Sequence, residues 1–143
     1  MCPQQPPGRD TPLGNMCFRV EIDGIQGTGA TEVIFPEGRL APRKTGASTQ
    51  AAALYGPLIL RKGLTASSEW YAWWDEARRP LRSRKKQGRT VRVTLLDTSG
   101  VSISGWQFTD VNPVAYQLSP LNALGNEPVF ETLELSVGGL SAA

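Results

Sequence analysis

Apolar and polar side chains alternate in several short stretches of the chain, and each such stretch predicts a strand with one buried face. In "MCFRVEIDG", residues 16 to 24, Phe18, Val20 and Ile22 fall on one side, with Cys17, Arg19, Glu21 and Asp23 on the other. That strand ends at Gly24. "TEVIF" predicts a second, stopped by Pro36, and "PLILRKG" a third, closed by Gly63. Later, "RTVRVTLLD" sets Val91, Val93 and Leu95 against Arg92 and Thr94. "TSG" at 98 to 100 supplies a turn, and "VSISGWQF" reads as the hairpin partner, with a change of phase at Gly105 that predicts a bulge. An extended stretch around Val114, Tyr116 and Leu118 precedes a polar loop. In the closing "VFETLELSVGG", Val129, Leu133, Leu135 and Val137 share one parity against Phe130, Thr132 and Glu134.

Two segments break this pattern. Trp70, Trp73, Trp74 and Ala77 recur at i, i+3, i+4 and i+7, one face of a 3.6-residue repeat, and predict a helix whose tryptophans form its seam with the sheet. Thr65, Ser67 or Ser68 can cap it, Asp75 is placed to pair with Arg78 or Arg79, and Pro80 ends it. Residues 36 to 56 show no sustained period and are punctuated by Pro36, Gly38, Pro42, Gly46 and Gly56. They read as a loop of about twenty residues, long enough to be functional or ordered by a partner. The expected fold is mainly β: an antiparallel sandwich or small barrel of about seven strands with one flanking α-helix.

Composition narrows the chemistry. The chain has 143 residues, with 15 glycines and 11 prolines, which suits many turns in one domain over residues 16 to 143 behind a flexible N-terminal arm over residues 1 to 15. Histidine is absent, which removes the commonest general base and every Ser-His-Asp or Cys-His arrangement. The two cysteines, Cys2 and Cys17, form neither a CxxC pair nor a disulfide framework, and Cys17 reads as an inert reduced thiol. No apolar run approaches the ~20 residues that cross a bilayer, and the first fifteen residues lack the charged start and apolar centre of a signal peptide. Membrane insertion is not expected, and synthesis and folding in the cytoplasm follow as the default.

Catalysis finds no support. Asp97, Asp110, Glu131 and Glu134 offer carboxylates, but strand alternation reads Glu131 and Glu134 as ordinary solvent-facing residues. "GIQGTG" at 24 to 29 has glycines like a phosphate loop, yet no helix or lysine follows, and a tight turn explains it. No cofactor or metal site is expected. Eight of the fifteen lysines and arginines fall between Arg78 and Arg92 with no acidic residue among them, which raises single-stranded nucleic acid as a partner. The aromatics precede that run instead of interleaving with it, and at helical spacing they are better buried. Arg82, Arg84, Lys85 and Lys86 then read as a separate solvated loop that contacts protein.

Read together, "FRVEIDGI", "TEVIFPEG", "LILRKGLTASSEWYAWWDEAR", "RTVRVTLLDTSGVSISGWQF" and "NPVAYQLSPLNALGNEPVFETLELSVGGL" resemble, in this order, the tail-tube proteins of contractile phages and phage-like injection systems. The resemblance covers about Leu13 to Leu140. It implies a protomer similar to the haemolysin-coregulated tube protein, six to a ring, with stacked rings forming a hollow inner tube within a contractile sheath. It also implies a structural role without catalysis, and location in a virion or injection particle after assembly in the bacterial cytoplasm. Its implied partners are further copies of the chain, sheath and baseplate proteins, and DNA or an effector in the lumen. On this reading Arg19, Glu21 and Asp23 face the lumen. Arg39, Arg43, Lys44 and Tyr55 in the 36 to 56 loop meet the adjoining ring or subunit, and Arg82, Arg84, Lys85 and Lys86 meet sheath, baseplate or neighbour. That loop is basic and shorter than in typical members, which implies different ring-to-ring contacts; such particles also encode tube-like paralogues, and a tube initiator joining tube to baseplate is the alternative.

Overall fold

The computed structural model describes residues 17–25, 29–45, 48–79 and 88–143. The N-terminal arm expected over residues 1 to 15, and Arg82, Arg84, Lys85 and Lys86, lie outside them. The elements are β1 (Phe18–Ile22), β2 (Glu32–Ile34), β3 (Gly38–Thr45), β4 (Ser48–Tyr55), β5 (Leu58–Gly63), α1 (Glu69–Ala77), β6 (Arg89–Leu96), β7 (Ser102–Leu118), β8 (Phe130–Ser136) and β9 (Gly139–Ala142). The expected class holds: an antiparallel, mainly β fold with one helix.

Seven strands form one sheet in the order β1-β6-β7-β8-β5-β2, with β9 also on β7. Its axis is β7, which joins the two stretches read separately at "VSISGWQF" and at Val114 to Leu118. The first part of β7 pairs with β6 up to Val111 and with β9 over Trp106 to Thr109, and from Asn112 onward it pairs with β8. The two parts meet at Asp110, where φ is +51°, a left-handed conformation that aspartate tolerates better than most side chains. Neighbouring glycines make room there. A Cβ on Gly88 would lie 2.4 Å from Asp110 Oδ1, and one on Gly138 would lie 2.8 Å from Asp110 Cβ.

The bend lets the half-sheets share one core. Val20, Ile22, Val91, Val93 and Phe108 come from one half, and Leu58, Leu60, Leu133 and Leu135 from the other, all buried. Phe35, just after β2, reaches across to Trp106 and Phe108 with edge-on ring contacts at 4.9 and 5.8 Å. The helix closes the core with Trp70 and Trp73 buried and Trp74 half-buried at its margin, as the 3.6-residue spacing predicts. Burying aromatics of this size removes about 150–250 Å² each from water. Ser68 takes the N-cap position without a side-chain bond, and Thr65 Oγ1 instead accepts from the Ser67 N–H at 3.3 Å. Asp75 binds both Arg78 and Arg79, and the two guanidiniums hold its carboxyl below the usual carboxylate range.

Three expectations are corrected. Residues 36 to 56 are not a loop but a hairpin, β3 against β4, with Gly38 opposite Tyr55 and Thr45 opposite Ser48. Among the described residues it pairs with no other strand, so no core-directed alternation of the kind by which strands are recognised runs along it. Cys17 is disulfide-bonded and is not a reduced thiol. Glu131 does not face solvent. It shares the parity of Leu133 and Leu135 and is 1% exposed.

Glu131 is tolerated because its cross-strand partner is Lys62, whose Nζ lies 2.5 Å from Oε1, while the Tyr116 hydroxyl donates to Oε2. Lys62 also lies 5.2 Å from the Trp70 ring centroid. Removing one ion of such a pair strands the other in a dry site, at a cost of about 3–5 kcal/mol, whereas replacing the set with apolar groups is often neutral or stabilising. Lys62→Met should therefore lower unfolding free energy in urea by that amount. The triple change Lys62→Met, Glu131→Leu and Tyr116→Phe should recover most of it.

Burial, aided by the hydrogen bond to Glu131 and its charge, pushes the Tyr116 phenol above its ordinary value of 10. Below pH 10 the phenol is neutral in both states and contributes no pH dependence. Above it, the unfolded chain ionises first, so stability falls as pH rises. Tyr116→Phe should lack this alkaline loss, so the wild-type urea midpoint minus the variant midpoint should stay constant from pH 8 to about 10 and decline above it.

Candidate assembly surfaces

Lysines and arginines crowd together in the sequence, but the four of them that are described bind different partners. Arg78 and Arg79 are committed to Asp75. Arg89 is a clamp: it donates to the Asp23 carbonyl at 2.7 Å, lies 5.4 Å from the Trp73 ring centroid and stands 3.9 Å from Glu76. It thereby ties the turn after β1 and the start of β6 to the helix. Arg92 points to the other side of the sheet and donates to Gln107 at 3.0 Å. Sequence reasoning placed Arg89 in the basic run and missed its role, although its position at a strand start directly after Gly88 is the signal that could have found it.

The lumen-facing candidates Arg19 and Glu21 sit side by side on β1 as an exposed ion pair at 3.2 Å. Directly opposite them on β6 stand Thr94 and Arg92, and beyond Arg92 stand Gln107 on β7 and Ser141 on β9. The outer face of this half-sheet is thus polar across four strands and carries both signs of charge. Asp23 lies beyond the strand, exposed in the turn, with its backbone N–H bonded to the Thr90 carbonyl at 2.9 Å.

The ring-contact candidates gather on the hairpin. Arg39 stands opposite Leu54 and Tyr55 opposite Gly38, while Arg43 and Lys44 take register positions opposite Gln50 and Thr49. Arg39 is exposed, with Glu37 at 2.7 Å as a surface partner worth little in stability. The Gly56 N–H donates to the Glu37 carbonyl and closes the base of the hairpin. Leu40 is 76% and Leu54 55% exposed, on opposite faces of the ribbon, so this arm leaves apolar surface in water on both sides. An exposed two-stranded ribbon of this kind is marginal alone and suits a partner.

The described residues include no group of His, Cys, Asp and Glu suited to a metal, and no helix long and apolar enough to cross a membrane. Similarity to known proteins gives the family. The model of the T4-like virus tail tube protein gp19 family matches residues 14–141. The chain belongs to this tail-tube family.

Solved structures share the fold at low identity. A chain of the sheath/tube terminator of an extracellular contractile injection system, PVC, in the extended state aligns with a TM-score of 0.74 at 14% identity, covering 95% of this chain and 99% of that one. A chain of the anti-feeding prophage baseplate aligns at 0.64 and 18% identity, covering 93% and 96%. Hcp1 from Flavobacterium johnsoniae aligns at 0.57 and 16%, covering 89% and 94%. A search of curated proteins by sequence finds no significant match.

Because four of the eight clustered cations are engaged within the tail-tube fold, two at the end of α1 and two on β6, no continuous strip for phosphates exists among the described residues. Titrating single-stranded DNA at two salt concentrations should give only weak binding. Tight, steeply salt-dependent binding lost on changing Arg84, Lys85 and Lys86 to alanine would instead revive the nucleic-acid reading.

Proposed function

We propose that this chain is a structural subunit of the hollow inner tube of a contractile phage tail or phage-like injection system. Six copies close a ring, and rings stack inside a sheath. The family match across residues 14–141 carries the reading, and the exposed edges of the fold support it. Among the described residues, β1 and β2 end the sheet with an unpaired side each, and β3–β4 pairs with nothing beyond itself. Such edges invite uncontrolled pairing unless a neighbour covers them, and ring closure covers them in a defined way.

In the ring, the polar face with Arg19, Glu21 and Arg92 lines the lumen, and Asp23 stands at its margin. Charges of both signs, already paired within the face, hold no passing DNA or effector strongly. The hairpin with Arg39, Arg43, Lys44 and Tyr55 engages the adjoining ring, and the segment with Arg82, Arg84, Lys85 and Lys86 engages sheath, baseplate or neighbour. No catalytic residue, cofactor or membrane span enters this function. The particle assembles in the bacterial cytoplasm.

Electron microscopy of the purified chain at rising concentration should show rings or tubes with a central channel. Assembly only when a baseplate partner is added would assign the tube-initiator role instead. Monomers under every condition, with sheath and baseplate partners present, would refute both.

A further inference from the structure

The apolar surface of the hairpin has a counterpart elsewhere on the same chain. Between β7 and β8, residues 119–129 form a loop with a closed base: the Ser119 N–H donates to the Phe130 carbonyl at 2.9 Å, and the Phe130 N–H donates to Ser119 Oγ at 2.9 Å. At the tip, Asn122 sets a tight turn, its side-chain oxygen accepting from the Leu124 N–H at 3.1 Å and its carbonyl accepting from the Gly125 N–H at 3.0 Å. The turn holds Leu124 at 96% and Leu121 at 78% exposure. Beside Leu121 the loop encloses an open cavity of about 490 Å³, lined by Pro120, Leu121, Ala123, Glu127 and Val129 among others. Backbone and side-chain bonds spent on presenting two leucines to water have no purpose within the monomer's core.

We infer that this loop is the acceptor for the β3–β4 hairpin of a second copy of the chain. Three observations select that occupant. One surface projects and the other is recessed, and their exposures show that neither covers the other within one chain. Both carry exposed leucines, Leu40 and Leu54 on the arm against Leu121 and Leu124 on the loop. Their charges oppose: residues 38 to 55 contain Arg39, Arg43 and Lys44 and no acidic residue, while Glu127 is the only charged residue from 119 to 129. A projection and a recess at different places on one chain make a head-to-tail contact, which repeats without limit when the copies are related by translation along an axis. The inference rests on the tube reading and names the surface that receives each ring's arm.

Thiol crosslinking of the full chain tests it. Leu40→Cys and Leu124→Cys are made in separate copies, mixed, and treated with a short bismaleimide, with the unaltered chain as background control. The mixture should give a dimer that neither variant gives alone, and a chain carrying both changes should give a ladder. Leu124→Asp, at a position that contributes no core packing, should raise the concentration needed for assembly about tenfold or more while leaving the thermal melt of the protomer unchanged. Glu127→Lys should weaken assembly similarly, with partial rescue by Arg39→Glu. Rings or tubes that form normally without the mixed crosslink, or dimers of equal yield from either variant alone, would overturn the acceptor assignment and leave the tube reading standing. Failure to form any assembly would count against the tube reading itself.

Discussion

The fold hangs on one strand that must serve two half-sheets. β7 runs seventeen residues, from Ser102 to Leu118, and a strand of that length cannot stay straight and still bury the same parity throughout. The turn at Asp110 resolves the conflict. It takes a left-handed residue on β7 and glycines at 88 and 138 beside it, where any Cβ would collide with Asp110. Once that bend is made, β6 is committed to the first part of β7, while β8 and β9 follow its other edge through both parts. The halves then face each other, with Phe108 and Leu133 among the side chains that fill the space between them.

Helix α1 covers an opening in this arrangement, and polar groups fix how it sits. Lys62, Glu131 and Tyr116 lie beneath Trp70, while Arg89 grips Trp73 and the turn after β1. The Trp70 indole N–H is also buried and finds no acceptor among the described residues. Apolar side chains in these places would bury surface as well, but they would tolerate sliding. Ion pairs and directed hydrogen bonds do not, since even a shift of two residues between β5 and β8, which keeps each side chain on its face, would leave Glu131 charged and alone. The buried pair thus penalises a wrong register where a row of leucines would be indifferent to it.

With the core spent on closing the halves, several distinct surfaces remain on the outside. A polar, charge-balanced sheet face, a ribbon that pairs only with itself, and a tied-down loop with leucines at its tip are separate surfaces, each on a different part of the protomer. Separation matters physically. A subunit in a stacked ring must present different contacts sideways, axially and toward the bore, so one patch cannot do all three.

Much of this was legible along the chain. Period-two alternation marked β1, β5, β6 and β8, and the 3.6-residue spacing of the tryptophans marked α1 and its buried side, because in each case one face meets a core and the pattern records that contact. Motif order suggested the tail-tube family. The hairpin at 38–55 was not legible, since a ribbon solvated on both faces leaves no alternation to read. Nor was the union of two stretches into β7, because the left-handed residue at Asp110 breaks the period where the strand continues. Glu131 was read by its chemistry when its parity pointed inward, and only the placement of Lys62 directly across from it makes a buried carboxylate tolerable. The sequence alone therefore determined which segments have an inside and an outside, a property of neighbouring residues. Which strands meet, and which charges find partners, was decided by contacts between residues far apart in the chain, and those exist only once it has folded.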